Sequence, residues 1–344
     1  MNASIVRSKA PLRLGLAGGG TDVSPYSDTF GGRVLNATIS LYARCTIRSN
    51  PYERIVIRML DLHEELEFDR VEHRLLPVEG NLCAAVYNRM VLDFGIETGG
   101  LEITVFSDAP PGSGLGSSSA MVVSIVSAFV EMFDLPLGEY DIARLAYSIE
   151  REDLGMEGGK QDQYAATFGG FNFMEFLPND QVIVNPLKVK PWIVNELEDS
   201  ILLYYIGASR DSSEIIRDQQ IGLKQRDVQV VSSMHLLKEG AYQMKSAILK
   251  GDFDLCAKLL GESWNQKKQL AKSITNSEID TIIDCALMHG AISAKVSGAG
   301  GGGFIIFYVD PINKTRLKKL LKDKAGLVYE FNFTDNGCVS WKIN

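Results

Sequence analysis

The chain has 344 residues, 45% hydrophobic and 23% charged, with 32 Gly, 11 Pro and a formal net charge of −8. Against a typical ~150 residues per domain, this length predicts about two domains with ample material for a core and excludes disorder as a description of the whole. The acidic balance disfavours nonspecific nucleic-acid binding, and the apolar runs fall short of the ~18 residues of a membrane span, the run at 121–130 being closed by Glu131 and Asp134.

The N-terminal stretch MNASIVRSKAPLRL lacks the apolar centre of a signal peptide, so a cytoplasmic protein is expected. Residues up to about 110 read mainly as strands. The stretch 35–49 is rich in β-branched and aromatic residues, and 54–59 and 101–106 alternate, with helical spacing over 81–94 between them. The segment 117–133 is nearly all apolar and starts with Ser, which predicts a buried helix capped by that Ser. A helix over 141–153, ending at Gly155, and strands over 169–176 and 181–184 follow. Pro178, Pro186 and Pro191 then mark a boundary near residue 190, dividing the chain into 1–190 and 191–344. Beyond it come a strand at 201–206, two or three amphipathic helices between about 213 and 271, and a helix at 277–289 closed by Gly290. Strands at 292–296 and 304–309, a helix at 314–323 and strands at 328–333 and 339–343 complete an α+β second half. The sequence shows no internal repeat and no low-complexity tract.

Three glycine-rich segments stand out. The first to carry chemistry is PPGSGLGSSSA, 110–120, which follows a strand and opens a helix, so backbone N–H groups and the positive helix end can jointly receive phosphate oxygens. Gly112, Gly114 and Gly116 let the backbone approach closely, and Ser113, Ser117, Ser118 and Ser119 offer hydroxyls to phosphate or Mg²⁺. The segment is neither a Walker A loop nor G-x-G-x-x-G, and a plain helix-capping turn is its bland alternative. KVSGAGGGGF contains a literal G-x-G-x-x-G at Gly298, Gly300 and Gly303, but the run FIIFYV after it is strand-like, so the dinucleotide reading fails on context. A loop of such flexibility has to touch something closely. At the N-terminus, APLRLGLAGGGTD puts Arg13 on a strand and Thr21 and Asp22 after three glycines; Asp22 either caps a helix or hydrogen-bonds a polyol. A fourth stretch, IEREDLGMEGGKQDQYAATFGG at 149–170, places Asp162 between Gln161 and Gln163 in a glycine-rich loop, where an Asp is commonly structural.

Residues 1–50 carry six basic groups (Arg7, Lys9, Arg13, Arg33, Arg44, Arg48) against Asp22 and Asp28, a net of +4 that either solvates strand edges or in part faces an anionic substrate. Cys45, Cys83, Cys256, Cys285 and Cys338 contain no C-x-x-C pair and are expected to be reduced and buried. His63, His73, His235 and His289 never fall at ligand spacing, so any metal should be held by oxygen.

Together and in this order, the segments resemble the GHMP kinases over nearly the whole chain. Residues 110–120 are similar to that family's P-x-x-x-G-L-x-S-S-A nucleotide loop, and 295–304 resemble its third, glycine-rich motif. The resemblance implies an α+β fold of two domains, one similar to ribosomal protein S five domain 2 and one ferredoxin-like, with the active site between them. It implies ATP bound by Pro111, Gly112, Ser113, Gly114, Leu115, Gly116, Ser117, Ser118 and Ser119, and Mg²⁺ held by Ser118 and Glu150. Asp162 takes the place of the family's catalytic aspartate in G-x-x-D, and Arg13 that of the basic residue of the first motif, holding Asp162 ionised and helping to neutralise the phosphoryl group.

The family's galactose and mevalonate kinases carry Glu-His where this chain has Gly18, Gly19 and Gly20, which puts both activities in doubt. AGGGTD with KQDQY looks most like the branch acting on D-glycero-D-manno-heptose 7-phosphate at C1, in the synthesis of nucleotide-activated heptose; the fucokinases come next, with a Trp where Gly20 stands here. The expected acceptor contacts are Gly18, Gly19, Gly20, Thr21, Asp22, Lys160, Gly300 and Gly301, with Lys160 foremost, then Arg33 and Lys9, for the acceptor's phosphate. Another hexose at C1, a non-catalytic sugar sensor and the family's decarboxylase branch remain alternatives, and the oligomeric state, monomer or homodimer, is open.

Overall fold

The computed structural model describes residues 5–69, 75–96, 99–207 and 212–343. In the first half, β1 (Ile5–Ala17) and β2 (Gly32–Asn50) are antiparallel and flank the short helix α1 (Tyr26–Phe30). Pro11 cannot donate a ladder hydrogen bond, and the register of the pair shifts between Pro11 and Leu12. β3 (Arg54–Met59), β4 (Glu64–Asp69), α2 (Leu82–Phe94) and β5 (Gly100–Ser107) follow, with β3 parallel to β5. Then come α3 (Ser117–Phe133), α4 (Glu139–Ser148), a π-helical turn at Ile149–Asp153, α5 (Gln161–Phe168), β6 (Phe171–Phe176) and β7 (Val182–Pro186). β2 has 19 residues because it serves two neighbours along one edge: residues 43–50 pair with β5 and residues 32–37 with β6.

The second half contains α6 (Pro191–Ser200), β8 (Ile201–Tyr205), α7 (Ser212–Lys224), α8 (Val228–Lys250), α9 (Phe253–Lys267), α10 (Ser277–Met288), β9 (Ala291–Val296), β10 (Phe304–Val309), α11 (Pro311–Lys322), β11 (Leu327–Tyr329) and β12 (Val339–Ile343). Its antiparallel sheet has the order β11-β8-β10-β9. FIIFYV is apolar at every position because β10 is covered on both faces: Phe304, Ile306 and Tyr308 join the large core beneath the first sheet, while Ile305, Phe307 and Val309 join the core formed with α8, α10 and α11. No helix among the described residues is long and apolar enough to cross a membrane.

Five expectations need correction. α3 opens on Gly116 in the left-handed conformation with no side-chain cap, so Ser117 is its first residue and not its cap. The helix over 141–153 gives way to the π turn after Ser148. The strand at 328–333 ends at Tyr329, because residues 332–334 leave that sheet to bond β2 (Ser40 N to Asn332 O 2.8 Å, Thr334 N to Thr38 O 3.0 Å). The chain then runs on into β12, which pairs with β1, so the last strand belongs to the first sheet. All five cysteines are free thiols; three are buried, while Cys285 and Cys338 are only half-buried.

Candidate active site

Between the two halves lies a cleft of about 340 Å³ lined by all three glycine segments and by the 156–162 stretch. The loop from β5 into α3 lays Pro111, Gly112, Gly114, Gly116, Ser117, Ser118 and Ser119 along one wall. Because α3 has no side-chain cap, the N–H groups of its first turn remain for an anion. The 297–303 loop closes over this one, onto its backbone carbonyls. Phe304 N donates to Ser113 O at 3.0 Å and Ser297 Oγ to Gly114 O at 2.8 Å. A Cβ on Gly298 would lie 2.6 Å from Gly114 Cα, which is why this contact needs glycine.

Asp162 stands beside the first loop, in the opening turn of α5 and not in a loop as expected: the chain re-forms helix at once after Gly158 and Gly159. Arg13 donates to one oxygen of Asp162, Oδ1, from Nε and Nη2 at 2.7 Å each, and from Nη1 to Gly114 O at 2.7 Å. Oδ2 accepts no hydrogen bond within the described residues, and the Asp162 side chain keeps 22% exposure to the cleft against 5% for Arg13. Two lysines complete the cationic wall. Lys267, from α9, donates to Gly298 O, and Lys295, from β9, to Gly15 O at 2.8 Å. Burial, with Arg13 beside it, pushes the Lys267 ammonium down to about 8. Burial lowers Lys295 well below its ordinary value, with Lys267 and Arg13 adding to the effect. Sequence reasoning missed both: Lys295 heads the third glycine motif, but Lys267, in SWNQKK, has no signal separating it from a solvated lysine.

Opposite the loops, Asp22 is buried; it does not cap the helix that follows it in sequence but reaches across to the first N–H of α5. Its Oδ2 accepts from Gln161 N at 3.0 Å, and its Oδ1 from Gly20 N at 3.1 Å and Gln161 Nε2 at 3.2 Å. Burial raises its pKa against these bonds, and the nearby Asp162 raises it further. Gly19, Gly20 and Gly300 line the cleft. Several other expected contacts do not. Gly18 packs on Arg33 O, and the Thr21 hydroxyl is spent on Gly18 O and Arg33 O, at 2.8 Å each, fixing the turn. Gly301 N bonds Ile274 O at 2.8 Å. Ser113 and Leu115 are fully buried behind the nucleotide loop, where Ser113 O and Leu115 O hold Phe304 N and Arg13 N. Lys160 points away, paired with Asp180 and lying over the Tyr147 ring at 5.6 Å. Arg33 pairs with Glu175 at 3.1 Å, and Lys9 lies over Tyr42.

Ser118 and Glu150 are brought together, Ser118 Oγ donating to Glu150 Oε1 at 3.2 Å. Glu150 is completely buried, its other oxygen is held by Gln163, and no Lys or Arg among the described residues lies within 4 Å of it. A buried carboxylate without a counterion is costly, so this oxygen pair fits a divalent cation that takes its remaining ligands from phosphates and water. No cluster of three or more His, Cys, Asp or Glu side chains forms a metal site among the described residues, of which His73 is not one. On the far side of the nucleotide loop, Met59, Leu62, Leu66, Phe68, Pro77 and Met121 line a more apolar pocket of about 490 Å³ that shares Pro111, Gly112, Ser117 and Ser118 with the cleft. A flat base can lie there with its phosphates on the loop.

The models of the GHMP kinases N terminal domain and the GHMP kinases C terminal region match residues 81–170 and 244–322. A D-glycero-alpha-D-manno-heptose 7-phosphate kinase of Campylobacter jejuni subsp. jejuni is 46% identical over 98% of this chain and 99% of its own length. The crystal structure of a D-glycero-D-manno-heptose 1-phosphate kinase from Bacteroides thetaiotaomicron has a TM-score of 0.84 at 47% identity, covering 98% of this chain and 99% of that one. The L-fucokinase/L-fucose-1-P guanylyltransferase of Bacteroides fragilis is 28% identical over 93% of this chain but only 36% of that longer protein.

Proposed function

Because this chain belongs to the GHMP kinase family and is a sugar kinase, a phosphotransferase with an alcohol acceptor, we propose that it phosphorylates the C1 hydroxyl of D-glycero-D-manno-heptose 7-phosphate, giving the 1,7-bisphosphate for nucleotide-activated heptose synthesis. The observation that carries this reading is the Arg13–Asp162 pair, set between the nucleotide loop and the Asp22 wall with one carboxylate oxygen left over. Asp162 Oδ2 accepts the proton of the anomeric hydroxyl as its oxygen bonds the γ-phosphorus of ATP and the bond to the ADP oxygen breaks. Asp22 and the bare backbone of Gly19 and Gly20 receive the sugar hydroxyls, and Gly20, with no side chain, leaves room for a seven-carbon chain. Arg13, Lys267, Lys295 and the open end of α3 neutralise the charge of the transferring phosphoryl group. Ser118 and Glu150 would hold Mg²⁺, which would supply positive charge against the phosphates of ATP.

The test is ADP release from Mg-ATP with heptose 7-phosphate, heptose 1-phosphate, free heptose, fucose and galactose offered separately, followed by phosphorus NMR of the product. A new anomeric phosphate formed from heptose 7-phosphate in preference to the rest is expected. Turnover of heptose 1-phosphate alone would place the acceptor hydroxyl elsewhere, and turnover of free sugars alone would discard the phosphorylated acceptor.

A further inference from the structure

We propose that the acceptor's own phosphate is received between Arg151 and Gln219, and that these two side chains set the preference for a phosphorylated over a free sugar. The inference rests on the reading above that the acceptor carries a phosphate. Arg151, in the π turn, lines the cleft. Among the described residues no carboxylate lies within 4 Å of its guanidinium. It is held only by neutral carbonyls at the long end of hydrogen bonding: Nη1 to Met156 O at 3.3 Å and Glu157 O at 3.4 Å, Nη2 to Gly159 O at 3.3 Å. Its Nε is buried with no hydrogen-bond partner among the described residues. A Cβ on Gly158 would fall 2.3 Å from Nη2, so the glycine is what allows the guanidinium to lie against this loop.

Gln219, on α7, provides an independent second observation. It is only 7% exposed, it lines the same cleft, and its Nε2 has no hydrogen-bond partner among the described residues. It faces Gly20, whose added Cβ would lie 3.8 Å from Gln219 Oε1. The two walls are tied together through Glu157, which also lines the cleft: its carbonyl accepts from Arg151, and its carboxylate is engaged by Gln220 Nε2 at 3.1 Å and Arg217 at 3.6 Å. A buried donor left unsatisfied is costly, and a charged fork held by weak neutral contacts is poised to exchange them for a phosphate dianion. The basic residues singled out from sequence for this task are otherwise engaged, Lys160 with Asp180 and Arg33 with Glu175.

The experiment compares kcat/KM for heptose 7-phosphate and free heptose in the wild type, in Gln219→Glu, which sets a carboxylate where the anion would lie, and in Arg151→Gln. Inhibition by inorganic phosphate is measured against the acceptor in all three. Both variants are expected to lower the phosphorylated-to-free ratio at least tenfold, through KM more than kcat, and to weaken phosphate inhibition by a similar factor. An unchanged ratio, or parallel loss on both sugars with phosphate inhibition retained, overturns the assignment. Arg151 also braces the 156–159 loop, so Gln219→Glu decides if Arg151→Gln fails to fold. A wild type that prefers free heptose would overturn the function itself, and that outcome is visible before any variant is made.

Discussion

On the function proposed above, the two ends of the cleft, one for the nucleotide and one for the acceptor, would receive anions in different ways. At the donor end the ligand-facing surface is mostly backbone: the uncapped first turn of α3, and the 112–116 and 298–302 loops pressed together at a glycine contact. At the acceptor end it is side chains from four separate segments: Asp22 and Gln161, which bond each other, Arg151, which rests on loop carbonyls, and Gln219. A backbone site depends on glycines placed close together in sequence, whereas a side-chain site depends on how distant segments meet. Substitutions at the two ends should therefore fail differently, in rate and nucleotide affinity at one end and in acceptor choice at the other.

The sharpest way to break this division is at its midpoint. Asp162→Asn keeps the shape and the contact with Arg13 but removes the proton acceptor, so kcat should fall by roughly 10²–10⁴ with little change in either KM. Near-normal turnover would show that the carboxylate only positions the hydroxyl. At the donor end Glu150→Gln leaves Ser118 and Gln163 their polar contacts but removes the buried charge. The Mg²⁺ concentration needed for half-maximal rate should rise about 10–100-fold with the acceptor KM unmoved, and chelation by EDTA should silence both enzymes.

How much of this was legible in the sequence follows the same division. The glycine loops, the strand before the first and the helix after it can be read from local strings, because glycine spacing and an apolar run define what the backbone does there; Arg13 and Asp162 stand out only through the order of the motifs and their resemblance to the family, and the string around Asp162 reads as loop where the chain is helical. Lys160 is two residues from Asp162 in sequence but differs from it in orientation: just before α5 it pairs with Asp180 while Asp162 turns to Arg13, and spacing alone does not reveal that. Lys267 and Gln219 sit in ordinary amphipathic helices, where nothing in spacing distinguishes a residue facing a cleft from one facing solvent. The return of β12 to the first sheet was equally invisible, as its partner β1 lies at the opposite end of the chain.

Acceptor choice should respond most to Gly20. Gly20→Trp would fill the space facing Gln219 and is expected to cost roughly 10²-fold in kcat/KM for the seven-carbon acceptor and less for a hexose. The backbone there is left-handed, at φ +101°, so strain should lower Tm as well; the ratio between the two sugars, not the absolute rate, is the informative measurement. Equal loss on both would mean that Gly20 serves the turn and not the acceptor.

Lys267 yields a pH signature at the donor end. With its pKa near 8 in the folded chain against 10.5 ordinarily, kcat/KM for ATP should decline as pH rises through about 8, and Lys267→Arg, which does not titrate there, should lose that limb. Stability moves the other way. The unfolded chain holds the extra proton between about 8 and 10.5, so the cost of burying the ammonium is present in full below about 8 and is relieved as pH rises toward 10.5. Denaturant melts of wild type and Lys267→Met should therefore converge across that interval, the wild type gaining on the variant.

The smallest effect should come from Lys160. Its ammonium is paired with Asp180, which is 58% exposed and can be satisfied by water once the partner is gone, so Lys160→Met strands no buried charge. The expected cost is about 1 kcal/mol of stability or less, with less than about a twofold change in the KM of a phosphorylated acceptor. A tenfold rise in that KM, with free heptose unaffected, would place the acceptor's phosphate on the Lys160 side of α5 and remove it from Arg151 and Gln219. The acceptor end would then be built around a residue adjacent in sequence to the catalytic helix, and the contrast between a legible donor end and an illegible acceptor end would disappear.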